Sequence, residues 1–243
     1  MIGIPQPLLT GGGSGGLTKI GIGTMQLNGT NTYTGTTLVS AGALGGNGVI
    51  AGPVSVASGA TLSPGTSVGK LTINNTLALS SGSTTFIELD KGALTNDMVV
   101  GLTSVTYGGT LSVTNLSGTL VVGDSFQIFS AGAYGGSFSA VDPSTPGPGL
   151  AWNTSQLAVN GTLSIVTGVA TNPTNITAVV SGGTMALSWP SDHTGWRLEA
   201  QTNAWGIGVT TNWSTVSGST STNQMQFPIG VGNGSVFFRL VYP

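Results

Sequence analysis

Apolar residues along this chain recur in pairs two positions apart: Met25 and Leu27, Val54 and Val56, Leu71 and Ile73, Leu77 and Leu79, Ile87 and Leu89. The series continues through Val105 and Tyr107, Leu111 and Val113, Phe126 and Ile128, Leu157 and Val159, and Leu163 and Ile165. On an extended chain such partners point to one side, so each pair predicts a short strand with one buried face. Turn-forming clusters separate the pairs: Gly45-Gly46-Asn47-Gly48, Asn74-Asn75, Gly108-Gly109, Gly135-Gly136 and Asn160-Gly161. No run of a dozen residues carries the 3.6-residue apolar spacing of a helix, and an all-β chain is expected. The segments SGATL (58–62), YGGTLSV (107–113), LSGTLVV (116–122) and NGTLSIV (160–166) echo one another. Imperfect repetition of a strand–turn unit predicts a β-solenoid over residues 17–168, with about six or seven coils of roughly 20–25 residues. A plain β-sandwich with similar turns is the alternative.

The flanks differ from this body. Residues 1–16 are rich in Gly, with Pro5 and Pro7, and read as an N-terminal arm that is flexible unless it packs on something. Residues 141–150, VDPSTPGPGL, combine three prolines with two glycines and predict a loop bulging from one coil. In residues 169–243 lie Trp189, Trp196, Trp205 and Trp213, four of the five tryptophans. The runs TNITAVV, TMALSWP, GWRLEAQT, NWSTVSG, NQMQFPI and SVFFRLVY predict six or seven strands, hence a small β-sandwich.

Composition sharpens the picture. Charged residues make up only 5% of the chain, against roughly a quarter in ordinary soluble proteins. With 39% apolar residues and a net charge of −2, the chain is expected to fold rather than stay disordered. Five scattered Lys and Arg give no footprint for nucleic acid. The absence of Cys excludes disulfides and thiol chemistry. The first residues lack the basic and long apolar regions of a signal peptide, and no apolar run is long enough to span a bilayer. Outward strand positions rich in Thr and Ser are uncharged and lack the usual Lys guards against edge pairing.

Candidate chemistry is sparse. The single His, His193, falls in PSDHTGW, where Ser191 and Asp192 could suggest a triad. Adjacent turn residues rarely reach triad geometry, so an exposed turn His is expected. Glu88 and Asp90 share the outer face of FIELDKG, with Ile87 and Leu89 facing inward. With Asp97 they could hold Ca²⁺ or, as paired carboxylates, act on a polysaccharide; a solvated outer face is the expectation. Lys91 beside them could pair with a carboxylate. The Gly-rich runs lack the GK[ST] ending of a phosphate loop. Eight N-x-S/T sequons, such as those at Asn28, Asn115 and Asn212, read as turn and ladder residues.

Within GGLTKIGIGTMQLNGTNTYTGTTLVSAGAL, the residues Lys19, Gly21, Gly23, Leu27, Gly29, Asn31-Thr32-Tyr33-Thr34-Gly35, Thr37, Val39, Gly42 and Leu44 resemble the autotransporter-passenger-associated β-strand repeat. That resemblance implies a secreted β-helical stalk on a Gram-negative surface. The pattern LSWP, WRLEAQTN, NW and FFRL resembles fibronectin-type-III-like modules of secreted bacterial proteins and implies core positions at Trp189, Leu198 and Phe237. No C-terminal membrane barrel is visible, so another export route, or a longer parent chain, is expected. Together these features predict a non-enzymatic extracellular structural protein without a cofactor. Self-association into a homopolymer is expected through Ile2, Ile4, Leu8 and Leu9 at one end and Val241 and Tyr242 at the other. The N-terminal arm would cover one solenoid end or add a strand to a neighbouring subunit. The alternative is a glycan-binding adhesin module using Trp205 and Trp213.

Overall fold

The computed structural model describes residues 2–8, 14–230, 232 and 234–242. It is all-β: a short parallel β-solenoid followed by a small antiparallel sandwich. The chain divides into two compact units, residues 1–147 with 151–166, and residues 148–150 with 167–243.

The first unit winds coil upon coil. Its first coil carries β1 (Ile2–Ile4) and β2 (Leu17–Lys19). The second carries β3 (Thr24–Leu27), β4 (Thr30–Asn31) and β5 (Thr37–Val39), and the third β6 (Ala43–Gly46), β7 (Val49–Ile50) and β8 (Val54–Val56). Next come β9 (Thr61–Pro64), β10 (Lys70–Ile73) and β11 (Thr76–Leu79). A longer coil follows, with β12 (Thr84–Asp90), β13 (Thr95–Asn96), β14 (Met98–Leu102) and β15 (Ser104–Tyr107). The last full coil holds β16 (Thr110–Asn115), β17 (Ser125–Gln127), β18 (Phe129–Ala131) and β19 (Tyr134–Gly136). Three faces result. One stacks β1-β3-β6-β9-β12-β16-β20, where β20 is Ala140–Asp142; the others stack β4-β7-β10-β14-β18 and β2-β5-β8-β11-β15-β19.

Register explains why the apolar pairs suffice. Met25, Leu44, Leu62, Thr85, Leu111 and Val141 lie directly over one another. Leu71, Val99 and Phe129 form a second inward row, and Thr37, Val54, Leu77, Val105 and Tyr134 a third. Leu44, Leu62, Leu71, Val99 and Leu111 are wholly buried, so the interior is a dry aliphatic column. Along β12 burial alternates residue by residue, with Thr85, Ile87 and Leu89 inward and Glu88 and Asp90 outward.

Corners need glycine for closeness. A Cβ on Gly35 would stand 2.4 Å from the Ser14 carbonyl oxygen, and one on Gly52 would stand 2.3 Å from the Gly35 carbonyl oxygen. Successive turns therefore stack backbone on backbone at this edge, which no side chain permits. Hence the described part of the N-terminal segment is packed rather than a loose arm. Residues 2–8 and 14–19 wind as the first coil of the same chain: β1 pairs with β3, the Thr32 N–H donates to the Leu8 carbonyl, and β2 pairs with β5.

At the far end the strand pattern gives way. Leu157 and Val159, a strand pair by sequence, lie instead in a one-turn helix, α1 (Leu157–Asn160), closed by Gly161 at φ 74°. Leu157 is buried and Val159 is 63% exposed, which is helical rather than period-2 geometry. The turn packs on β18 and β19, and the Tyr107 hydroxyl donates to the Leu157 carbonyl at 3.0 Å. β17 pairs antiparallel with β22 (Thr162–Thr167), in one sheet with β21 (Leu150–Asn153). Thus the chain covers the last rungs of two faces itself.

In the second unit, β23 (Thr177–Ser181), β24 (Thr184–Ser188) and β27 (Gln224–Pro228) form one antiparallel sheet. β25 (Arg197–Asn203), β26 (Ser214–Thr215) and β28 (Ser235–Val241) form the other. Leu187 and Trp189 meet Leu198 between them, with Met185, Phe227, Phe238 and Leu240 packed around. Trp189 and Leu198 therefore hold the core positions expected of them. Phe237 does not: it is half-buried outside this cluster, and on β28 it is Phe238 and, two residues on, Leu240 that pack into the core.

Candidate interaction surfaces

The uncovered end of the solenoid concentrates the surface features of the first unit. β1 pairs only with β3 among the described strands, so its other edge is open. The Asn28 N–H donates to the Ile4 carbonyl at 3.1 Å, which turns the polar groups of Ile2 and Ile4 toward β3. By the alternation of a strand, the N–H and C=O of Gly3 point away from the coil. Ile2 is 70% exposed, Ile20 73% and Ile22 98%. Ile2, Ile4, Ile20 and Met25, with the stem of Lys19, line a cleft of about 440 Å³. Leu8 is half-buried, its N–H donating to Asn31 Oδ1 at 2.9 Å. Leu9 lies outside the described residues.

Polar residues beneath this end are fully engaged. The Lys19 ammonium, buried without a carboxylate, donates to the carbonyls of Ile20, Gly21 and Ala41 at 2.9, 2.7 and 3.0 Å. Three donors meet three acceptors, which is what lets the charge be buried. The Asn31 amide donates to the carbonyls of Gly29 and Val49. Tyr33 Oη and Thr37 Oγ1 lie 2.7 Å apart, and burial raises the Tyr33 pKa.

The acidic candidates do not converge. Among the described residues, no three His, Asp or Glu side chains are placed to hold a metal ion. Asp97 is fully buried, with Oδ1 accepting from the Gly69 N–H and Oδ2 from the Glu88 N–H, each at 2.8 Å. Burial pushes its pKa up to about 7 despite those two donors. Asp90 accepts from the Ser117 hydroxyl and, at 3.0 Å, the Ala93 N–H; the Ser117 bond is the main cause of its lowered pKa. Lys91 pairs with Asp124 across the loop, not with Glu88 or Asp90, and Lys91 holds the Asp124 carboxyl below its ordinary value.

In the second unit His193 is not the exposed turn residue its setting suggests; it is 2% exposed. Nδ1 lies 2.7 Å from Asp192 Oδ1 and Nε2 lies 2.7 Å from the Asn172 carbonyl oxygen. Neither ring nitrogen is left for the Ser191 hydroxyl, so no triad forms. Burial, the largest influence, lowers the His193 pKa; the Asn172 and Asp192 oxygens together outweigh it and raise it above 6.5. The segment before the sandwich is thereby tied down: the Ala170 N–H donates to the Asp192 carbonyl, and Trp196 Nε1 donates to the Ala170 carbonyl at 2.7 Å.

The aromatic candidates separate. Trp205 is 72% exposed, beside a shallow depression lined by Thr202, Asn203, Ala204, Gly232 and Gly234. Trp213 is half-buried beneath the Arg239 guanidinium, 4.3 Å from the ring centroid, and that guanidinium is held by Glu199 at 2.7 Å. Val241 lies on β28 opposite Arg197, and the Tyr242 ring meets Trp196 edge-on at 5.4 Å.

Known families speak to one stretch of the chain. Residues 17–45 match the passenger-associated transport repeat. The repeat runs from β2 through β3, β4 and β5 into β6. It thus spans one full coil plus an overlap: β2 pairs with β5 and β3 with β6, so its two ends lie side by side. The repeat implies a secreted or surface protein. No curated protein matches the chain.

Ile20 and Ile22 escaped the sequence reading. Their signal was present, an apolar pair two apart in KIGIGT, but period-2 spacing alone does not say which side of a strand is wet.

Proposed function

We propose that this chain is a non-enzymatic structural protein of the cell exterior, the rigid winding of a surface stalk or sheath on a Gram-negative bacterium. The observation that carries the proposal is the repeat at 17–45, which is one coil of a face seven rungs long. An uncharged column of this kind spends its side chains on stacking and offers little for turnover. Self-association belongs to the role. Its simplest form is head-to-tail, the first rung of one copy on the last coil of the next. That polymer would have to displace α1 and the β17–β22–β21 sheet, whereas the β1 edge is free. Labelling of intact cells with antibody, or shaving with protease, tests the location: exposed protein supports the proposal, and protein reached only after lysis overturns it.

A second reading rests on Trp205. An exposed indole over a polar depression suits the face of a sugar ring. A glycan array with wild type and Trp205→Ala separates the two: binding lost in the variant favours an adhesin module. The fibronectin-type-III-like identity of the second unit is part of that reading; its three-plus-three antiparallel strands support it.

A further inference from the structure

We infer that the open end of the solenoid is a self-association surface, closed by a second copy of this chain across a two-fold axis, with β1 antiparallel to its counterpart. The inference deepens the structural role proposed above and rests on it.

The geometry of β1 is self-complementary. Its outward polar groups belong to Gly3, and in an antiparallel ladder two facing residues exchange both N–H···O=C bonds. Placing the axis at Gly3 sets Gly3 against Gly3 of the second copy and Ile2 against Ile4 in both directions. A Cβ on Gly3 would meet nothing within 4 Å, so the face of the strand at the axis is clear as well. The exposed Ile2 then finds an apolar partner instead of water. Ile20 lines the same cleft and would be covered together with it.

Charge selects the occupant. A surface meeting its own image across a two-fold axis must avoid like charge. Among the described residues lining this cleft, the one ionisable side chain is Lys19, whose ammonium is turned inward onto three carbonyls. The same uncharged face offers nothing to an acidic or basic partner. Pairing at β1 also consumes the one free edge of this face at this end, so the assembly closes at two copies.

The test uses the 243-residue chain in sedimentation equilibrium from about 1 to 100 µM. Wild type is expected to fit a reversible dimer. Ile2→Lys sets a charge against Ile4 of the second copy in both directions and should weaken association at least tenfold. Gly3→Pro removes the outward N–H while leaving the bonds to β3, and should do the same. Unchanged melting temperatures would show that both variants keep the fold. A monomer throughout the range overturns the inference, as does a dimer indifferent to both substitutions. Mass that grows without limit also overturns it, in favour of a head-to-tail polymer. None of these results bears on surface location, which the labelling experiment decides separately.

Discussion

Thr85 stands between Leu62 and Leu111 in an otherwise aliphatic row, and its hydroxyl is buried without a hydrogen-bond partner among the described residues. An unsatisfied buried hydroxyl costs about 1–3 kcal/mol. Thr85→Val keeps the shape and removes that cost, so chemical denaturation should show a gain of about 1 kcal/mol. Asp97 makes the opposite kind of buried polar position, held by two N–H donors yet pushed up to about 7 by burial. A folded pKa above the ordinary 3.8 means that the protonated group favours folding. Stability from this residue is complete below pH 3.8 and is lost as pH rises through about 7. Asp97→Asn should flatten the dependence of Tm on pH between 5 and 8, by about 2–4 °C for each kcal/mol removed. At this scale the sequence was informative about direction and silent about partners. Period-2 spacing put Ile87 and Leu89 inside and Glu88 and Asp90 outside, as found. It could not show that Lys91 reaches Asp124, or that Asp97 is clamped between Gly69 and Glu88, because the Asp124 and Gly69 contacts join different turns of the winding and the Glu88 contact depends on how the bend folds back.

Among elements, the clasp at Ser191–His193 is the clearest device with a chemical trigger. Both ring nitrogens of His193 face acceptors, the Asp192 carboxylate and the Asn172 carbonyl, so only the imidazolium can donate to both. Its pKa is raised above 6.5, so its contribution is complete below that pH and fades as pH climbs through the folded value. Hydrogen exchange at residues 170–172 should accelerate from pH 6.5 to 8.5 beyond the intrinsic base-catalysed rate. In His193→Gln that excess should vanish. The residue before the clasp and the tryptophan after it gave no sequence signal of this arrangement, since a carbonyl acceptor leaves no trace in side-chain identity. Similarly, α1 was hidden: a four-residue helix is too short to display periodicity, and its Asn-Gly close looks the same as a hairpin turn. The N-terminal rung was hidden for another reason. A stretch of glycines reads as flexibility when taken alone, and only the stacking of Gly35 over Ser14 and Gly15 shows that closeness is what it supplies.

For the whole molecule, that first coil should act as a lid on the column beneath it. Deleting residues 2–16 strips acceptors from the N–H groups of Asn28, Thr32 and Gly35 and bares the buried Asn31. The truncated chain should melt several degrees lower, by calorimetry, and scatter more light when warmed, because β3 becomes a longer free edge whose Met25 and Leu27 lose the cover of Ile2 and Ile4. The solenoid as a class was legible from the sequence because every coil repeats the same demand, a pair of aliphatic residues inward and a tight bend between. Its handling of the two ends was not, because an end is a single event with no repetition to betray it.

Stacked partners on the longest face fall at Thr24, Ala43, Thr61, Thr84, Thr110 and Ala140, so successive coils take 19, 18, 23, 26 and 30 residues while the pairing stays in step. Part of the growth lies in longer strands, β12 having seven residues to the four of β9, and the rest in bends such as 91–94 and 116–124. These two bends brace each other, the Gly92 N–H donating to the Ser117 carbonyl and Lys91 pairing with Asp124, so a foreign peptide grafted at the exposed Leu94 would be carried on a mount that the next coil holds in place.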